Sequence, residues 1–163
     1  QLFEERTGRS LINQTWALKL DSWFTCTGQD PWISLPRGPV SSVSSISYVD
    51  QAGDSQTWTA GATGYQSDLT SEPPRIMPSY GKVWPVTRCQ LNAITITYVA
   101  GYGSAASDVP KAIKHALLIM IANLFENRAS VVTGMGKSDP LNLEHFLLPW
   151  KIADDFINYS GAD

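Results

Sequence analysis

Hydrophobic and polar positions alternate along the first two thirds of the chain and then merge into one apolar block. The alternation has a period of two, the spacing of half-buried strands. It predicts a strand over Ser10–Leu20, where Trp16, Leu18 and Leu20 alternate with Thr15, Ala17 and Lys19. Further strands are predicted over Trp32–Leu35, over Val43–Val49, where Ile46 and Tyr48 oppose Ser45 and Ser47, and over Gln56–Ala60. The clearest is Ala93–Ala100, with Ile94, Ile96 and Tyr98 against Thr95, Thr97 and Val99. Tyr65–Leu69 and Arg75–Met77 are weaker candidates, split by Glu72-Pro73-Pro74. Asp50–Asp54 carries a Gly and predicts a hairpin turn.

The apolar block lies in Asp108–Arg128 and predicts a long helix. Asp108 is placed to cap it, and Pro110 falls in the first turn, where a missing N–H costs nothing. Lys111, Lys114 and His115 face away from Ile113, Ala116 and Leu117, and from Ala116 to Ala122 no polar residue occurs. Such a helix needs cover on every side, so it is expected at the centre of the fold, with Ile113, Leu117, Leu118, Ile121 and Leu124 in the core. The block is shorter than the roughly 20 apolar residues that span a bilayer. Gln1–Thr7 reads as the last turns of a helix stopped by Gly8, which predicts more helix upstream in the natural gene product. Ala129–Asp139 reads as a loop, and Pro140–Leu148 as a short helix capped by Asp139 and ended by Pro149. The order is helix, a block of about six to eight strands, then helices.

At 163 residues, 43% hydrophobic and 17% charged, this is one domain with enough apolar material for a core. A net charge of -3 without a Lys/Arg cluster leaves no nucleic-acid footprint. Cys26 and Cys89 are far apart and lack metal-ligand spacing, so free thiols are expected. The two histidines, His115 and His145, each sit on a predicted helix. No Gly-x-Ser-x-Gly elbow supplies a nucleophile, and Glu144-His145 lacks the second His of a zinc helix. Gly101-Tyr102-Gly103 has the wrong spacing for a phosphate loop. Glu4-Glu5 and Asp154-Asp155 are adjacent carboxylates that point apart and read as solvated charge. No catalytic, cofactor-binding or metal-binding residue is assigned.

Several stretches together carry a family resemblance. They are Arg6-Thr7-Gly8-Arg9-Ser10-Leu11 with Thr15-Trp16, and Leu35-Pro36-Arg37-Gly38-Pro39-Val40 with Val43 and Ile46-Ser47-Tyr48. Tyr98-Val99-Ala100-Gly101-Tyr102-Gly103 follows, with Val109-Pro110 and Ala112-Ile113, then Glu126-Asn127-Arg128 and Leu147-Leu148-Pro149-Trp150. In order and spacing the chain resembles the head–tail connector (adaptor, or head-completion) proteins of long-tailed bacteriophages, prophages and gene transfer agents. No single one of these motifs is specific.

The resemblance implies an α+β fold, a small helical bundle with a long central helix and a large β-rich insertion between its helices. Residues 1–9 would end an N-terminal helix, 10–103 form the insertion, 108–148 the C-terminal helices and 149–163 an extended tail. It implies a structural adaptor, not an enzyme, in a ring of about twelve copies beneath the portal protein. DNA would pass through the lumen without specific binding, and a tail-side neck, stopper or terminator protein would dock below. The place implied is the neck of a virion or phage-like particle assembled in the bacterial cytoplasm, with no membrane contact. The family's N-terminal helices are mostly missing here, and the tail after Trp150 is longer than the resemblance implies. Trp150, Ile152, Phe156, Ile157 and Tyr159 keep that tail apolar, which marks them as the expected portal contact. Two other readings stay open. One is a β-rich binding module using Trp16, Trp32, Trp58 and Trp84; the other is a small hydrolase using His115 or His145.

Overall fold

The structure, a computed structural model, describes residues 2–23, 32–126 and 148–152. It opens with a short helix, α1 (Leu2–Thr7), followed by strands β1 (Gln14–Leu20), β2 (Ile33–Ser34), β3 (Val40–Val49), β4 (Ser55–Trp58), β5 (Tyr65–Asp68), β6 (Arg75–Pro78) and β7 (Ile94–Ala100). Helix α2 (Lys111–Glu126) and single 3-10 turns at Ala106–Asp108 and Leu148–Trp150 complete the described chain. Every period-two run thus becomes a strand, with ends shifted by a few residues.

The strands form two antiparallel sheets, β1-β7-β3-β4 and β2-β6-β5. Strand β7 lies inside the larger sheet and buries every second residue: Ile94, Ile96, Tyr98 and Ala100. Those side chains join Ile46, Val40 and Leu35, and Ile33, Ile76 and Tyr65 from the smaller sheet, in one apolar cluster. The two inner faces therefore close on each other as a small sandwich. Trp23 enters the same cluster, stacked on Trp84 at 4.7 Å between ring centres and flanked by Trp58 at 5.5 Å and Tyr48 at 6.0 Å.

Strand β3 reaches this core by an unexpected route. Its inward residues Val40, Val43 and Ile46 are three apart, not two. Two register irregularities against β7, between Val40 and Ser42 and between Val43 and Ser45, account for the spacing. Each adds a residue to one strand and turns the next apolar side chain back to the inner face.

A helical bundle is not what these residues build. Among the described residues the fold is mostly β, and α2 is the one helix longer than six residues. It caps one end of the sandwich instead of running through its centre. Its inner side meets a second, smaller cluster of Phe3, Val109 and Ile113, edged by Leu11, Ile12, Tyr102, Leu117 and Trp150. The expected central position fails because, among the described residues, α2 has cover on one side only. Ile113 and Met120 are buried and Leu117 is half-buried, whereas Leu118 is 64% exposed and Ile121 58%. Among the described residues Leu118 and Ile121 are thus exposed and not in the core; the side chain of Leu124 lies outside the described residues, as does all but the last residue of the helix predicted over residues 140–148.

The helix start differs as well. Asp108 closes the preceding 3-10 turn by accepting the Ala105 N–H at 3.0 Å, and the carbonyl of Pro110 accepts the N–H groups of Ile113 and Lys114. The hydrogen bond from the Ala105 N–H and one from the Ser107 hydroxyl hold the Asp108 carboxyl below its ordinary pKa. Between β7 and α2 the chain turns at Gly101, whose φ of 151° and closeness to Asn13 leave no room for a side chain.

Candidate docking surfaces

The junction of α1 with β1 holds a polar site that ties together distant segments of the described chain. Helix α1 ends as the sequence predicts, with the Gly8 N–H on the Glu4 carbonyl at 3.0 Å and Gly8 at φ 69°. The next residue, Arg9, is 5% exposed. Its Nε donates to the Trp150 carbonyl at 2.6 Å, and its Nη1 donates to Glu72 Oε1 at 2.8 Å and to the Tyr102 hydroxyl at 3.2 Å. Its Nη2 donates to the other carboxylate oxygen of Glu72, which completes a two-pronged pair. Burial works against the Arg9 charge most strongly, but the hydrogen bonds and charges of Glu72 and Tyr102 together outweigh it, so the guanidinium is held charged. Four separate segments of the chain meet on this one side chain. Sequence reasoning passed over it, because nothing local distinguishes an Arg that will be buried.

The same junction receives the start of the C-terminal tail. Ile152 is buried, its N–H donates to the Thr7 carbonyl at 3.0 Å, and its side chain rests on Gly8 and Gly38. Trp150 edges the small cluster under α2. These two members of the expected portal contact are therefore packed on their own domain, Ile152 through the Thr7 carbonyl and Trp150 through the Arg9 side chain, each beside an apolar neighbour. Phe156, Ile157 and Tyr159 lie outside the described residues. Glu4 also departs from the solvated-charge reading: its Oε1 accepts the Leu11 N–H at 2.9 Å and so pins the turn into β1.

Two apolar surfaces remain outward. The first is the α2 stripe of Leu118 and Ile121, continued by Phe125. The second is the irregular segment from Tyr80 to Leu91, here called the arm. Tyr80, Val83, Val86 and Leu91 are all largely exposed on it. The arm is anchored by Trp84, which turns inward onto Trp23, and by the Arg88 N–H on the Val49 carbonyl at 3.0 Å.

The four tryptophans proposed for a binding groove do not share one. Trp58 and Trp84 belong to the aromatic cluster, Trp16 carries the Arg37 guanidinium at 4.6 Å, and Trp32 carries Arg75 at 5.2 Å. Trp32 and Arg75 do line an open cleft of about 410 Å³ with Asp68 and Met77. His115 is exposed on α2, and His145 lies outside the described residues. Cys89 is a free, exposed thiol, and Cys26 lies outside the described residues.

Neither a protein-family model nor a curated protein sequence matches the chain. Solved structures do match its fold. A chain of the native gene transfer agent (GTA) virion aligns with a TM-score of 0.71 at 24% identity, over 93% of this chain and 72% of that one. A chain in the native GTA neck, a structure with C12 symmetry, aligns at 0.70 and 23%, over 93% and 76%. A chain in the neck of the empty particle, with C6 symmetry, aligns at 0.70 and 24%, over 93% and 72%. The protein thus has a fold that occurs in the neck of gene transfer agent particles.

Proposed function

We propose that this protein is a structural adaptor at the head–tail neck of a tailed phage or gene transfer agent-like particle. The observation that carries the reading is the fold match, which runs over 93% of the chain and leads to neck structures. Copies of the chain form a closed ring beneath the portal, complete the head and present a surface on which the tail docks. The C12 and C6 symmetries of the matched necks support a cyclic arrangement of copies. Its role is mechanical and not enzymatic. A net charge of -3 suits a lumen that lets DNA slide past.

The tail supplies the portal contact in this reading, with a division of labour. Trp150 and Ile152 form its root on the domain, and Phe156, Ile157 and Tyr159 reach the portal. The test is electron microscopy of particles made without the protein and with a tagged copy. DNA-filled heads lacking tails, and a tag confined to the neck, are the expected results. Tailed particles in its absence, or a tag spread over the shell, would remove the proposal.

A further inference from the structure

The segments that carry the two outward apolar surfaces join opposite ends of strand β7. The arm leads into the first residue of β7, and its end is tied there by the Asn92 N–H on Asp21 at 2.6 Å, just past the end of β1. Helix α2 follows the last residue of β7, beside Leu11 and Ile12 at the start of β1. Seven extended residues separate the two ends, about 20 Å at the usual rise of a strand. Within the described residues of one copy, the arm residues Val83, Val86 and Leu91 and the helix residues Leu118 and Ile121 are all left exposed. Both surfaces are apolar and largely exposed, as interaction surfaces are.

Two different apolar surfaces on one molecule suit a heterologous contact, the kind that closes into rings. We infer that the arm of one copy, through Val83, Val86 and Leu91, packs on Leu118 and Ile121 of helix α2 in the next copy around the ring. This deepens the adaptor reading and rests on it. The contact explains why α2 is apolar beyond what the described residues of its own chain cover. It also explains why Trp84, placed between Val83 and Val86, is anchored so firmly: it presents its neighbours outward.

The test uses particles assembled with a photoreactive benzoylphenylalanine at Val86, from a mixture of isotope-labelled and unlabelled copies. Irradiation should join position 86 of one copy to the 111–126 peptide of another. Leu118→Glu with Ile121→Glu should lower that adduct at least tenfold, and Val83→Glu with Leu91→Glu should lower ring formation to the same extent. All four positions are exposed, so circular dichroism melts should stay at the wild-type temperature. Adducts between two arms, adducts within one copy, or rings that survive both double substitutions would overturn the inference and leave the adaptor reading intact. Particles whose necks contain no ring of this chain would overturn both.

Discussion

Strand β7 and helix α2 follow one another in the chain, and both are predominantly apolar. Their surroundings differ. Strand β7 has a neighbour on each edge and the second sheet over its inner face, so its alternate residues are sealed. Helix α2 rests on a three-residue cluster and leaves Leu118 and Ile121 in water. The difference shows that apolar density measures how much cover an element needs, and not how much its own chain provides. In β7 the need and the supply agree. In α2, among the described residues, they do not, and the proposed assembly would supply the missing cover.

The comparison can be broken most directly in the core. Ile96→Ala removes a fully buried side chain of β7 and should cost about 2–5 kcal/mol in urea unfolding. Leu118→Ala, made in the monomer, should change the midpoint by no more than about 0.5 kcal/mol, as surface substitutions do. Equal losses for the two would erase the contrast between strand and helix.

A smaller effect is expected where the tail meets the domain. Ile152→Ala should cost about 2 kcal/mol, near the lower end for a buried Ile. Removing residues 153–163 while keeping Ile152 should leave the melting temperature near wild type and abolish attachment to portal-bearing heads. Normal attachment would take the tail out of the portal contact.

Glu72→Gln tests the Arg9 hub. The carboxylate is 54% exposed, so water screens part of the pair, and a loss of about 1 kcal/mol is expected. A double-mutant cycle with Arg9→Met would isolate the coupling. Additive losses would mean that Arg9 acts through Trp150 and Tyr102 alone.

The smallest signal is a pH dependence. Burial pushes the Tyr98 hydroxyl up to about 12 from an ordinary 10.0, against the pull of Arg37. A raised folded value means that the folded state keeps its proton while the unfolded chain loses it. The contribution is therefore complete below pH 10 and is lost as pH rises toward 12. Tyr98→Phe should flatten this alkaline slope in thermal melts, and an unchanged slope would assign it elsewhere. Asp68 gives the opposite sign at the acid end. Hydrogen bonds from Ser71 and Thr70 lower its pKa, so its contribution is present above about pH 3.8 and fades as pH falls below that value.

The sequence by itself determined where the strands are and how α1 ends. Side-chain alternation and a glycine at a helix stop are local properties, and Ile94, Ile96, Tyr98 and Gly8 kept their predicted roles. It also identified α2 as a helix in need of partners. Only the tertiary structure decided that β7, and not α2, lies at the centre, because covering a helix depends on what arrives from elsewhere. The three-residue spacing of Val40, Val43 and Ile46 could be resolved only by pairing, since bulges exist between strands and not within one. Arg9 became a hub because Glu72, Tyr102 and Trp150 are distant in the chain and close in the fold. Pairing across such separations depends on geometry that a local pattern does not encode.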